Sequence, residues 1–143
     1  MADYKKILVL LDLTDSSEQI VAAARDVAAH SNAAMVLLHV VEFVPAEPMG
    51  ETLMPTVQIE EELEQRAKIK LDEFSARLRL ARATTRVEAG NKKTEILRAA
   101  KEEAVDLIVL GSRVRHGLGI LVNFTEDTVL HAAHCDVLAV RLK

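Results

Sequence analysis

Five short runs of strand character alternate with four stretches of helical periodicity, and this strict alternation constrains the fold more than any other feature of the chain. The runs are Ile7 to Leu11, Met35 to Val41, Thr84 to Ala89, Asp106 to Leu110 and Val137 to Leu142. Ile7 to Leu11 and Met35 to Val41 are almost continuously apolar, as strands buried on both faces of a parallel sheet are. Thr84 to Ala89 reads as weaker and half exposed. Between the first two runs, Ile20, Val21, Ala24, Val27 and Ala28 form one helical stripe, which Ser31-Asn32 ends. A helix of that length between two such strands makes them parallel neighbours with a right-handed crossover. The expectation is one doubly wound α/β domain over residues 1–143, a five-stranded parallel sheet with helices on both faces. In such sheets ligands bind outside the strand C-termini where the order reverses. With the order 3-2-1-4-5, that crevice lies between the first and fourth strands and gathers Asp12, Val41 and Gly111.

The connections carry their own signals. Asp12-Leu13-Thr14-Asp15-Ser16-Ser17 favours a turn and a helix cap, and Asp15 with Glu18, or Ser16 with Gln19, has capping-box spacing. Residues 42–57 hold all three prolines of the chain, so a long loop follows the second strand, of the kind that serves as a lid or mobile segment. The second helix is expected from about Gln58 to Leu80, with Ile59, Leu63, Ala67, Leu71, Phe74 and Leu78 inward. Glu60-Glu61-Glu62 begin it and Arg77, Arg79 and Arg82 lie near its end, which suits the helix dipole. The third helix places Ile96, Leu97, Ala100 and Ala104 inward. Its successor starts near Asn123 to Thr125 and runs to about Ala133.

Residues 106–128 join a strand to a glycine-bearing loop and a helix start, the layout of an anion-binding turn. Gly111 is expected to end the strand; Arg113, Arg115 and His116 then supply two guanidinium groups and an imidazole. Composition narrows the ligand. A net charge of −4 and 3% aromatic residues leave neither the basic face nor the stacking side chains of a nucleic-acid binder. No apolar run approaches the ~20 residues needed to cross a bilayer. The first residues lack the apolar region of a signal peptide, and the lone Cys135 suits a reducing compartment, so a cytoplasmic protein is expected. No catalytic constellation stands out: G-x-S-x-G and G-x-x-x-x-G-K-[ST] are absent, the loop after the first strand has no glycine, and Gly90-Asn91 stands where a phosphorylatable aspartate would end the third strand. His131, His134 and Cys135 lack further partners at metal-ligand spacing. His39 reads as a satisfied core histidine and Cys135 as a small buried hydrophobe.

These residues resemble the universal stress protein family over almost the whole chain. The resemblance is carried by Ile7 to Asp12 with its capped helix, by His39-Val40-Val41, and by the helix from Glu95 to Ala104. Its most specific parts are Asp106-Leu107-Ile108-Val109-Leu110-Gly111-Ser112-Arg113 and His134-Cys135-Asp136-Val137-Leu138-Ala139-Val140. It implies a five-stranded parallel sheet and a homodimer through the last strand, Val137 to Leu142, and with no catalytic constellation the expectation is a stress-response protein that is not an enzyme and acts by sensing or through protein partners. That strand is followed by no helix, so its edge is open to pairing. In the family's ATP-binding branch a glycine ends the fourth strand, a second lies three residues on, and a third precedes a serine or threonine. Here Gly111 and Thr125 keep the outer positions, whereas Val114 and Phe124 replace the other two glycines. Glu126 and Asp127 fall in the first turn of the last helix, where carboxylates repel a phosphate. The resemblance implies ATP, with magnesium as its counter-ion, as the candidate cofactor, at a site of Asp12, Val41, Gly111, Arg113, Arg115 and Thr125. Two readings stay open: a degenerate or weakly binding crevice, and a true ATP-binding member with at most slow hydrolysis, in which Arg113 and Arg115 offset the lost glycines.

Overall fold

The computed structural model describes residues 3–42, 56–80, 82–113 and 125–142. The elements alternate as β1 (Lys6–Leu10), α1 (Ser17–Ser31), β2 (Ala34–Val41), α2 (Thr56–Leu78), β3 (Ala83–Ala89), α3 (Lys92–Glu102), β4 (Leu107–Arg113), α4 (Thr125–Ala132) and β5 (Asp136–Leu142). All five strands are parallel, in the expected order β3-β2-β1-β4-β5. The register places Val9 opposite both Leu37 and Val109, so the three central strands share one apolar layer.

Side-chain alternation along the strands builds two cores. Ile7 and Val9 of β1, Met35 and Leu37 of β2, and Val109 of β4 point to one face, where Ile20, Val21 and Ala24 of α1 and Leu71 of α2 cover them. Leu8, Val36, Leu38, Ile108 and Leu110 point to the other, against Ile96, Ala99 and Ala100 of α3 and Val129 of α4. Asn32 ends α1 in the left-handed conformation, φ 53° and ψ 44°, with its N–H donating to the Ala28 carbonyl.

Several boundaries differ from the expectations, each for a physical reason. Gly111 does not end β4: the strand runs on to Arg113 because Gly111, Ser112 and Arg113 pair with Val140, Arg141 and Leu142 of β5. Neither capping box forms as the spacing suggests. Ser16 is the N-cap of α1, but its side chain makes no capping bond; Asp12 collects the hydroxyls of the turn instead. In α3, Ala99 takes the inward place expected of Ala104, which lies beyond the helix at φ 54° and is exposed. The inner stripe of α2 holds only at Ala67 and Leu71 in the buried core, with Phe74 and Leu78 packed beside it, while Leu63 is 37% exposed. At 1.5 Å per residue the 23-residue helix is about 34 Å long, against about 26 Å for the eight-residue β2, so its first turns overhang the sheet. The loop expected over residues 42–57 and the segment 114–124, with Arg115, His116, Val114 and Phe124, lie outside the described residues apart from Glu42 and the start of α2.

Candidate functional site

The strand order reverses between β1 and β4, and the C-terminal ends of the two strands define the crevice. Asp12 follows β1, Val41 is the last residue of β2, Arg113 is the last of β4 and Thr125 is the first of α4, while Gly111 lies two residues inside the end of β4. Arg115 is outside the described residues. Glu126 and Asp127 are the second and third residues of α4, in its first turn as expected.

Asp12 acts as a turn carboxylate. Its Oδ1 accepts hydrogen bonds from the Thr14 amide at 3.1 Å, the Thr14 hydroxyl at 2.7 Å and the Ser17 hydroxyl at 3.2 Å. Partial burial pushes its carboxyl up, but the hydrogen bonds from Thr14 and Ser17 outweigh that and hold it below the usual aspartate value. Asp12 therefore stays ionised at neutral pH, with Oδ2 outside these three bonds. Ser17 is the one polar residue buried among those described, and Asp12 is what satisfies it. The Asp-x-Thr-x-x-Ser spacing of Asp12, Thr14 and Ser17 is the sequence signal for this arrangement; reading the segment for capping boxes alone passes over it.

At Val41 the backbone is already engaged, since its carbonyl accepts the Gly90 N–H at 3.0 Å and so extends the contact of β2 with β3. His39, half buried, has Nδ1 2.8 Å from the Leu11 carbonyl. A carbonyl only accepts, so Nδ1 carries the proton and the ring is the satisfied core histidine that its position implied.

Gly111 has a packing reason to be glycine. A Cβ there would lie 2.7 Å from Leu142 Cδ1, closer than side chains approach, and a tight 3.0 Å from Ile20 Cδ1. Its extended backbone in β4 does not use positive φ. The same corner is tied from outside by Gln19, whose amide donates to the Arg141 carbonyl at 2.9 Å. The crevice floor, the first turn of α1 and the end of β5 are thus one packed unit.

Among the described residues no group of three or more His, Cys, Asp or Glu side chains is placed to hold a metal ion. His131 and His134 are exposed, while Cys135 is half buried beside the α3–α4 core, where burial and then the nearby Asp136 and Asp106 carboxylates push its thiol pKa up. A protonated, partly covered thiol is a poor nucleophile.

The sequence profile of the Universal stress protein family matches residues 3–141. The chain is 38% identical over 144 residues to Universal stress protein A homolog 2 of Coxiella burnetii (strain RSA 493 / Nine Mile phase I), covering 100% of this chain and 99% of that one. Among solved structures, it superposes on universal stress protein UspA from Lactobacillus plantarum with a TM-score of 0.71 at 26% identity, covering 99% and 100% of the two chains. It also superposes on a universal stress protein in complex with cAMP, with a TM-score of 0.66 at 23% identity over 97% and 98% of the chains.

Proposed function

This chain belongs to the universal stress protein family, and we propose that it serves there as a non-catalytic, cytoplasmic stress-response protein, one α/β domain acting as a homodimer, whose β1/β4 crevice binds nucleotide weakly at most. The observation that carries this reading is that the crevice groups are committed to the protein's own structure. Asp12 Oδ1 serves three donors of the turn, the Val41 carbonyl is taken by Gly90, and Gly111 is filled against by Leu142 and Ile20. The sequence supports the same conclusion. Val114 and Phe124 stand where backbone would have to approach a phosphate closely, which glycine permits and bulky or β-branched residues resist. Glu126 and Asp127 fall in the first turn of α4 by sequence, and acidic residues at a helix N-terminus disfavour an anion there.

One observation favours the second reading, a member that binds ATP with magnesium and hydrolyses it slowly at most. Asp12 Oδ2 takes no part in the three bonds from Thr14 and Ser17, on an ionised carboxylate able to accept from a ribose hydroxyl. Arg113 and Arg115 would then hold the phosphates in place of the missing glycines. Calorimetry with magnesium-ATP, and separately with cAMP, on the native chain and on a Val114→Gly, Phe124→Gly double variant decides between the two. The expected result is a Kd above about 0.1 mM for the native chain and binding at least tenfold tighter for the variant. Micromolar binding by the native chain overturns the weak-crevice reading and establishes the second.

A further inference from the structure

We propose that the cleft between the first turn of α1 and the second half of α2 is a separate binding site, for a zwitterionic small molecule with a flat apolar body, of the aromatic amino-acid type. The cleft has a volume of about 600 Å³, within the usual range of small-molecule sites. It opens on the α1–α2 face and uses no residue of β4 or α4, although Thr14 and Ser17 of its wall are bound to Asp12 of the crevice.

Its lining divides into a flat apolar part and a charged rim. Leu13 and Phe74 supply apolar surface, and the Arg77 guanidinium lies 5.4 Å from the centre of the Phe74 ring. Glu18 pairs with the planar Arg77 guanidinium at 3.0 Å at the exposed rim of the cleft. Such a plane stacks on aromatic rings and is only weakly hydrated. Lys70, Asp15 and Glu73 complete the rim, and among the described residues none of the three has an ion-pair partner. One ammonium and two carboxylates beside the apolar surface of Leu13 and Phe74 match the carboxylate, the ammonium and the ring of an aromatic amino acid. The hydroxyls of Thr14 and Ser17 also line the cleft, but both are donated to Asp12, so recognition falls to the charged groups. A simple anion is disfavoured because Asp15, Glu18 and Glu73 surround the single unpaired cation, Lys70.

The test is a two-dimensional amide NMR titration of the full chain with L-tryptophan, tryptamine and indole-3-propionate. Saturable shifts with L-tryptophan are expected at the amides of residues 13–18 and 70–77. Tryptamine, keeping the ammonium, binds more weakly, and indole-3-propionate does not bind. Lys70→Met and Glu73→Gln are surface changes, so an unaltered spectrum elsewhere verifies the fold. The first removes the advantage of L-tryptophan over tryptamine; the second weakens both ligands at least about fivefold. Absence of saturable shifts up to about 10 mM, shifts centred elsewhere, or equal binding of the acid overturns the proposal.

Discussion

Gly111 shows how one residue can look like ligand chemistry and be accounted for by packing. Because a Cβ would meet Leu142 and Ile20 within 3.0 Å, Gly111→Ala should destabilise the protein by about 1–3 kcal/mol with no ligand present, read from the urea midpoint at unchanged m-value. If the glycine mattered only for a phosphate, the substitution would leave stability unchanged. Asp12 makes a second prediction. Its folded pKa lies below the unfolded value, so its stabilisation is fully present above pH 3.8, the usual value of a free aspartate, and is lost as pH falls through the lower folded value. Asp12→Ala should cost about 0.5–1 kcal/mol at pH 7, a figure kept small because the carboxylate is solvent-exposed, and that difference should vanish in strong acid. Equal losses at pH 7 and pH 2.5 would rule out this account. The position of Asp12 at the end of a strand was legible in the sequence. That its Oδ1 would serve Thr14 and Ser17 was not, because two capping-box spacings compete for the same six-residue turn.

At the scale of elements, periodicity located every strand and helix of the described residues and failed mainly at their ends. The end of β4 departs from the pattern because a glycine reads as punctuation, whereas here the β5 ladder carries the strand through it. The apolar stripe of α2 gave no sign that the helix outruns the sheet, since overhang depends on lengths in space and not on pattern. Charge pairing was likewise invisible in one dimension: Arg86 of β3 is joined to Glu88, Glu102 and Glu103, and Lys6 of β1 to Glu103 at 2.9 Å. This network fastens the end of α3 to β3 and β1. The Arg86 side chain is only 17% exposed, so its removal leaves carboxylates that lost their partner in a partly dry site. Arg86→Met should cost about 1–3 kcal/mol. The pH dependence checks the cause. The hydrogen bond from Lys6, opposed by burial and reinforced by Arg86, lowers the Glu103 pKa, so its stabilisation holds above the unfolded value near 4.5 and is lost as pH falls below it. The thermal midpoint of the native chain should therefore fall more steeply than that of Arg86→Met on acidification through this window. Parallel curves would exclude the network as the source.

For the whole molecule, the two edges of the sheet are not equivalent, and the difference selects where a second copy would join. At the β3 edge, the Lys68 ammonium donates to the Thr85 carbonyl at 3.3 Å and pairs with Asp72 at 3.2 Å, while Arg86 and Glu88 put further charge on the strand. Charged side chains that occupy an edge in this way block strand addition. At the β5 edge, Asp136, Ala139 and Arg141 are exposed and Val137, Leu138 and Val140 are only half covered. A two-fold pairing of this strand with its copy would satisfy the open backbone groups and cover the half-buried apolar residues in one step, and an isologous contact closes at two chains. Light scattering at micromolar concentration should thus give twice the 15.7 kDa chain mass. Ala139→Lys introduces a charge at an exposed position of the strand, and it should shift the mass to that of one chain while circular dichroism stays that of the folded protein. The matching change at the other edge, Thr84→Lys on exposed Thr84 of β3, should leave the mass unchanged. A native chain that is strictly monomeric, or a dimer lost on the β3 substitution and kept on the β5 substitution, would place the contact elsewhere and remove β5 as the joining strand.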